Sequence, residues 1–208
     1  FLPELAAATV YVPHGMVRLS GGVKMSSRLG NIVPADEVLN VTAEAIRAAG
    51  RDAKDETVLG AIKYSFLKTR LGGDIVYNPA ESVSLEGNSG PYLQYAHARA
   101  RSILSKADTA VSLDTAISAH DRLEPGERSL VGKLSEYTET VDKATAELMP
   151  HHISTYLYEL AQVFNRFYEH NRVIGDDRQA LRLALVAGYA DCLRDGLRLL
   201  GIAAPDKM

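Results

Sequence analysis

The sequence predicts a mainly α protein: a short β and loop region, then a bundle of helices. Three observations predict it. From Pro34 onward, apolar residues recur at spacings of three and four. Cap-forming Asp, Asn and Ser, with Pro in first turns, stand where those patterns begin, and Gly or Pro stands where they end. Strand-like runs are confined to the first 19 of the 208 residues.

In chain order, residues 8–12 ("ATVYV") and 16–19 ("MVRL") read as short strands around a Pro13–His14–Gly15 turn. A glycine-rich loop follows, "GGVKMSSRLGN" from Gly21 to Asn31. A first helix then carries Val38, Thr42, Ala45, Ile46 and Ala49, and Gly50 ends it. Asp55 caps a second helix with Leu59, Ile62 and Phe66 on one side, stopped by Gly72–Gly73. "DIVYNPAESVSLEGNSG" reads as an irregular connector, and the domain boundary falls within it, between Tyr77 and Asn88. Asn88 or Ser89 then caps a third helix, with Pro91 in its first turn, where a missing N–H costs nothing. A fourth runs from near Pro125 with Leu130, Leu134, Tyr137, Val141, Ala144 and Leu148, and Pro150 ends it. A fifth spans His152 to His170 with Ile153, Leu157, Leu160, Ala161, Phe164 and Phe167 inward. The last begins near Asp177 and runs through Leu181, Leu185, Tyr189, Leu193 and Leu197 to Gly201. The second half is thus a helical bundle.

Composition narrows the class. Hydrophobic residues make up 46% of the chain, enough for a real core. No apolar run is long enough to cross a membrane, and the opening residues lack the charged region of a signal peptide. The chain opens on Phe1 and reads as a piece of something longer. Cys192, the single cysteine, excludes an intrachain disulfide and reads as a small buried side chain rather than a nucleophile. A reducing, cytoplasmic setting fits. A net charge of −3 neither requires nor excludes a nucleic-acid partner, because the placement of the cations matters more.

Two places carry candidate chemistry. In the glycine-rich loop, Lys24 and Arg28 can neutralise an anion while Ser26 and Ser27 donate hydrogen bonds. A solvated hairpin turn is the plain alternative, and the Gly-x4-Gly-Lys spacing of a Walker loop is absent. On the third helix, Tyr92 and Tyr95 precede Arg99, Arg101 and Lys106, a mix of aromatic and cationic side chains suited to unstacked RNA bases. Both tyrosines belonging to the core is the competing reading, since residues three apart share a helix face. His151 and His152 are adjacent and cannot ligate a metal from one helix face; they read as a helix start, and no metal site is expected. The acidic residues between Glu136 and Glu147 read as a solvated face.

"VKMSSRLGN" resembles the KMSKS signature loop of class I aminoacyl-tRNA synthetases. Lys24, Met25 and Ser26 match it directly; Ser27 stands in place of its second lysine and Arg28 in place of its last serine. "LGAIKYSFLKTRLGGDIVYN" (Leu59–Asn78), "LEGNSGPYLQYAHARARSIL" (Leu85–Leu104) and the terminal "LYELAQVFNRFYEHNRV" and "LLGIAAPDKM" are similar to the arginyl-tRNA synthetase family, in that family's order. No HIGH-type motif is found: "VPHGM" lies too close to the loop.

The resemblance implies a C-terminal portion of such an enzyme. Residues 1–33 would be the end of a class I nucleotide-binding catalytic domain, 34–87 a helical stem-contact region and connector, and 88–208 an α-helical anticodon-binding domain. The parent activity would be ligation of arginine to its tRNA with ATP, accompanied by Mg2+. Lys24 would be the catalytic residue, stabilising charge on the leaving pyrophosphate. Ser26, Ser27 and Arg28 would be further ATP-phosphate contacts, with Met25 near the adenine. The family's anticodon site maps onto Tyr168 and Met208, and Arg172 follows Tyr168 by one helical turn. Lys63, Lys68 and Arg70 are candidate phosphate contacts on the tRNA arm. The expected partners are arginine tRNA, ATP and arginine, with no membrane, and the isolated piece is expected to be inactive. The alternative is a free-standing, non-catalytic tRNA-binding module derived from a synthetase.

Overall fold

The computed structural model describes residues 3–13, 15–19, 34–107 and 122–208. It is mainly helical, as the spacing predicts. A one-turn helix α1 (Pro3–Ala7) and a strand β1 (Val17–Leu19) precede α2 (Ala35–Ala48) and α3 (Asp55–Leu67). Strand β2 (Ile75–Tyr77), a short α4 (Pro79–Ser82) and the long α5 (Gly90–Ser105) follow. Then come α6 (Pro125–Ser135), α7 (Tyr137–Glu147), α8 (His151–His170) and α9 (Gln179–Leu199).

The strands correct two expectations. Residues 8–12 form no strand and are exposed. Residues 17–19 are a strand, but its partner is β2, inside the stretch expected to be irregular, in parallel register Val17↔Ile75. Parallel pairing needs a long crossover, so nothing local signals it.

The largest core lies between α5, α8 and α9, where Leu93, Leu157, Leu160, Phe164, Tyr189 and Leu193 are buried together. A smaller cluster of Ile46, Val58, Ala61 and Val83 joins α2, α3 and the end of α4. Within α3 the buried face is Val58, Ala61 and Tyr64, while Leu59, expected inward, is 42% exposed. That face is set by a close crossing with α5: a Cβ on Gly90 would lie 2.2 Å from the Gly60 carbonyl oxygen. Only glycine at Gly90 lets the two backbones meet there.

The expected single helix from Pro125 to Leu148 is two, α6 and α7, divided at Glu136. The Glu136 N–H reaches back to Lys133 at 3.3 Å, a tightened i−3 turn that lets both segments follow α8. Leu148, expected on the apolar face, takes a left-handed φ of 54° after the last turn of α7 and is 46% exposed. The acidic residues Glu139, Asp142 and Glu147 are exposed, as their pattern predicts. Cys192 is partly buried with its Sγ 3.5 Å from the Tyr156 hydroxyl, and burial pushes its thiol up to about 11. At the end of α9, Ile202 N–H bonds to Leu197 O and Gly201 N–H to Arg198 O, both at 2.9 Å. Gly201 supplies the positive φ of 66° that this helix stop requires.

Candidate nucleic-acid interface

Helix α5 organises the site. Ser89 caps it, its Oγ accepting from the Tyr92 N–H at 3.1 Å. Leu93, Ala96 and Ala100 anchor one side in the core. The outer side carries Tyr95, Arg99, Arg101, Ser102 and Lys106. Opposite stand Tyr168 from α8 and the terminal segment ending in Met208, and between them lies an open cavity of about 670 Å³. Among the described side chains four cations, Arg99, Arg101, Lys106 and Lys207, line it against one acidic side chain, Asp206. The cleft is therefore locally positive on a chain whose net charge is −3, as an anionic ligand requires.

Its aromatic wall is rooted in the core. Tyr189 stacks on Phe164 with centroids 3.8 Å apart, and Phe164 lies 6.2 Å from Tyr168 at an interplanar angle of 22°. Tyr168 is the outermost, half-buried ring of that ladder. The Arg99 guanidinium carbon sits 4.6 Å from its centroid, a cation–π contact that orients both. Tyr95 and Met208 are about half exposed, and both also line a second, mostly apolar cavity of about 280 Å³ bounded by Ile46, Arg51, Lys54 and Leu85.

The structure thus brings Tyr95, Arg99, Arg101, Tyr168 and Met208 together. It qualifies two of them, because Arg99 already covers a face of Tyr168 and Arg101 Nε is 3.0 Å from Asp206 Oδ1. Arg172 shares a neighbouring cavity with Tyr168 and Ile103, but its Nε donates to Ile174 O in its own loop at 2.9 Å. Tyr92 is not in the cleft. Its hydroxyl accepts from Asn165 Nδ2 at 2.9 Å, its ring meets Tyr158 edge-on, and burial raises its pKa. Lys63 and Lys68 donate to the backbone carbonyls of Gly201 and Asn88, whereas Arg70 is exposed. Lys24, Met25, Ser26, Ser27 and Arg28 lie outside the described residues. Among the described residues no three His, Cys, Asp or Glu side chains group as metal ligands, and no helix is long and apolar enough to cross a membrane.

Residue-by-residue reading passed over Gln94 and His97. Both are fully buried on α5 and hydrogen-bonded to the terminal segment. Two polar residues on a face otherwise made of Leu93, Ala96 and Ala100 were the signal.

A helical bundle bearing an open cleft of aromatic rings and cations has the architecture of a module suited to unstacked nucleic-acid bases. Residues 93–208 match the DALR anticodon binding domain, and the chain belongs to that family. Its relatives are arginine–tRNA ligases, whose C-terminal portion it matches. It is 38% identical over 209 positions to the enzyme of Limosilactobacillus fermentum, covering 95% of this chain and 36% of that protein. It is 39% identical over 210 positions to the enzyme of Lactococcus lactis subsp. cremoris (strain MG1363), covering 96% and 37%. The structure of Thermus thermophilus arginyl-tRNA synthetase is similar with a TM-score of 0.82 and 34% identity, over 94% of this chain and 35% of that one. The chain therefore spans about a third of the length of the relatives it matches.

Proposed function

We propose that this chain is the anticodon-arm-binding and phosphate-loop part of an enzyme that activates arginine with ATP and attaches it to arginine tRNA. The division into residues 1–33, 34–87 and 88–208 belongs to that reading. The carrying observation is the convergence of Tyr95, Arg99, Tyr168 and Met208 on one positive cleft inside the matched domain. Unstacked anticodon bases present flat apolar faces and polar edges on an anionic backbone. Tyr95 and Tyr168 supply faces, Met208 an adaptable apolar contact, and Arg99 and Lys106 the charge. For a base to stack on the ring face that Arg99 covers, the guanidinium must swing aside, and it is then free to meet a phosphate.

Lys24 carries the catalytic role in this reading, stabilising charge on departing pyrophosphate, with Ser26, Ser27 and Arg28 as phosphate contacts and Met25 beside the adenine. ATP is a substrate that enters with Mg2+, and arginine and its tRNA are the other partners, in the cytoplasm. The piece alone is inactive, because it spans a third of its relatives and has no HIGH-type motif.

The test is a titration of an arginine-tRNA anticodon stem-loop against the wild-type chain and Tyr168→Ala at several salt concentrations. A stacked base is worth about 1–3 kcal/mol, so binding should weaken by about tenfold or more. The salt slope should barely move, since it counts phosphate contacts. Thermal unfolding run in parallel separates this from a folding defect. Unchanged affinity, or a loss fully explained by early melting, overturns the assignment of Tyr168. Arginine-dependent ATP–pyrophosphate exchange by the isolated chain above background would overturn its inactivity.

A further inference from the structure

We propose that Gln94 and His97 are positioning residues for the cleft: from inside α5 they clamp residues 203–205 and so set where Met208 stands beside Tyr95. What the cleft binds rests on the reading above; the clamp itself does not.

The geometry is specific to hydrogen-bond donors. Gln94 Nε2 donates to Ala203 O at 2.9 Å and to Glu56 O at 3.0 Å, and His97 Nδ1 donates to Pro205 O at 2.9 Å. All three partners are carbonyl oxygens, which fixes the Gln94 amide orientation and places the His97 proton on Nδ1. Each side chain is fully buried, and each keeps one buried atom, Gln94 Oε1 and His97 Nε2, without a hydrogen-bond partner among the described residues. Leucine would fill either space without that cost. A donor is needed there because the terminal segment is irregular and its carbonyls have no ladder to join. The neighbouring helix makes room for the clamp: a Cβ on Gly60 would lie 2.8 Å from the Gln94 amide.

Arg101 continues the series one turn on, with its Nε on Asp206 Oδ1. That pair is largely exposed and holds little by itself. The buried bonds do the holding, and Asp206, Lys207 and Met208 follow the last of them. Met208 lines both cavities, so the clamp decides how the groove is divided.

The experiment uses the whole chain labelled with [13C-methyl]methionine, which gives four signals, with Met208 assigned through Met208→Leu. His97→Leu and Gln94→Leu should narrow the Met208 methyl signal and move it to the position of an unstructured methionine, with the other three unshifted. His97→Asn keeps an N–H near the position of Nδ1 and should restore the wild-type signal. The Leu variants should also weaken stem-loop binding by about tenfold, the scale of one packed interface side chain. In a chain ending at Ile202 they should have no further effect, because residues that act through the segment have nothing left to act on. An unmoved Met208 signal in both Leu variants overturns the proposal, as does an equal loss of RNA binding with residues 203–208 removed. If the methyl responds while the wild-type chain ignores the stem-loop, the clamp stands and the anticodon reading falls.

Discussion

Removing the charge of Glu127 should cost the chain about 3 kcal/mol of stability at pH 7, and the structure supplies that figure in two ways. Glu127 is fully buried near the start of α6. Its carboxylate accepts from Arg178 Nη2 at 2.6 Å, Arg178 Nε at 2.8 Å, Arg182 Nε at 3.0 Å and the Glu124 N–H at 3.0 Å. Burial alone would raise its pKa; the bonds from Arg178, the Glu124 amide and Arg182 more than offset that and bring it to about 2. Measured from an ordinary value of 4.5, the drop corresponds to about 3 kcal/mol. Independently, breaking a buried ion pair costs about 3–5 kcal/mol, because the partner charge is stranded. Glu124 and Asp176 still face Arg182 in a Glu127→Gln variant, which favours the lower end. The assay is urea unfolding by far-UV circular dichroism, repeated from pH 7 downward. Between pH 4.5 and 2 the unfolded chain binds the Glu127 proton before the folded one does. This contribution is therefore complete above 4.5 and is lost as pH falls toward 2. Other lowered carboxylates, such as Asp195, titrate too, but they cancel in the difference between wild type and variant. A variant within about 0.5 kcal/mol of wild type at pH 7, or a stability difference that persists unchanged at pH 2, refutes the reasoning.

Gly90→Ala should destabilise by about 3 kcal/mol, since its methyl would meet the Gly60 carbonyl at 2.2 Å and backbone cannot turn away; chemical denaturation checks it. Tyr189→Phe should be neutral or raise Tm, because the buried hydroxyl it removes has no hydrogen-bond partner among the described residues while the stack on Phe164 stays. His97 should add a pH dependence of its own. Burial lowers its pKa, against the Pro205 carbonyl and Asp206 and with Arg101 and Arg194, so its contribution is complete above about 6.5 and falls as pH drops below that. Differencing the stability of wild type and His97→Asn between pH 7.5 and 5 should show that slope in the wild type alone.

What the sequence made legible follows the range of the interaction. Helices with a strict apolar stripe, such as α8 with Leu157, Leu160 and Phe164, were readable because their pattern is written within one turn. The β1–β2 pairing was not, because Val17 and Ile75 meet only after α2 and α3 fold back. The facing of α3 departs from its apolar pattern for a related reason. Leu59 is more apolar than its neighbours, yet the bare backbone of Gly60 decides which side meets α5. In the site, the spacing of Tyr95 and Arg99 was local and Tyr168 came by resemblance. The Tyr92 hydroxyl is engaged by Asn165, 73 residues away, a contact that no local pattern encodes. Gln94 and His97 escaped notice because their partners are backbone atoms near the other end of the chain, which no residue letter encodes.

The meeting of Gly60 and Gly90 also has a mechanical side. Most helix pairs ride on a layer of side chains whose rotamers can change, and that layer has some give. Where Gly60 meets Gly90 this cushion gives way to backbone against backbone, flanked by the Tyr64 and Gln94 side chains. Gln94 then ties both helices to the terminal segment through Glu56 and Ala203. A displacement of α5 therefore has two direct routes outward, one to α3 and one to the terminal segment, both through a single amide group.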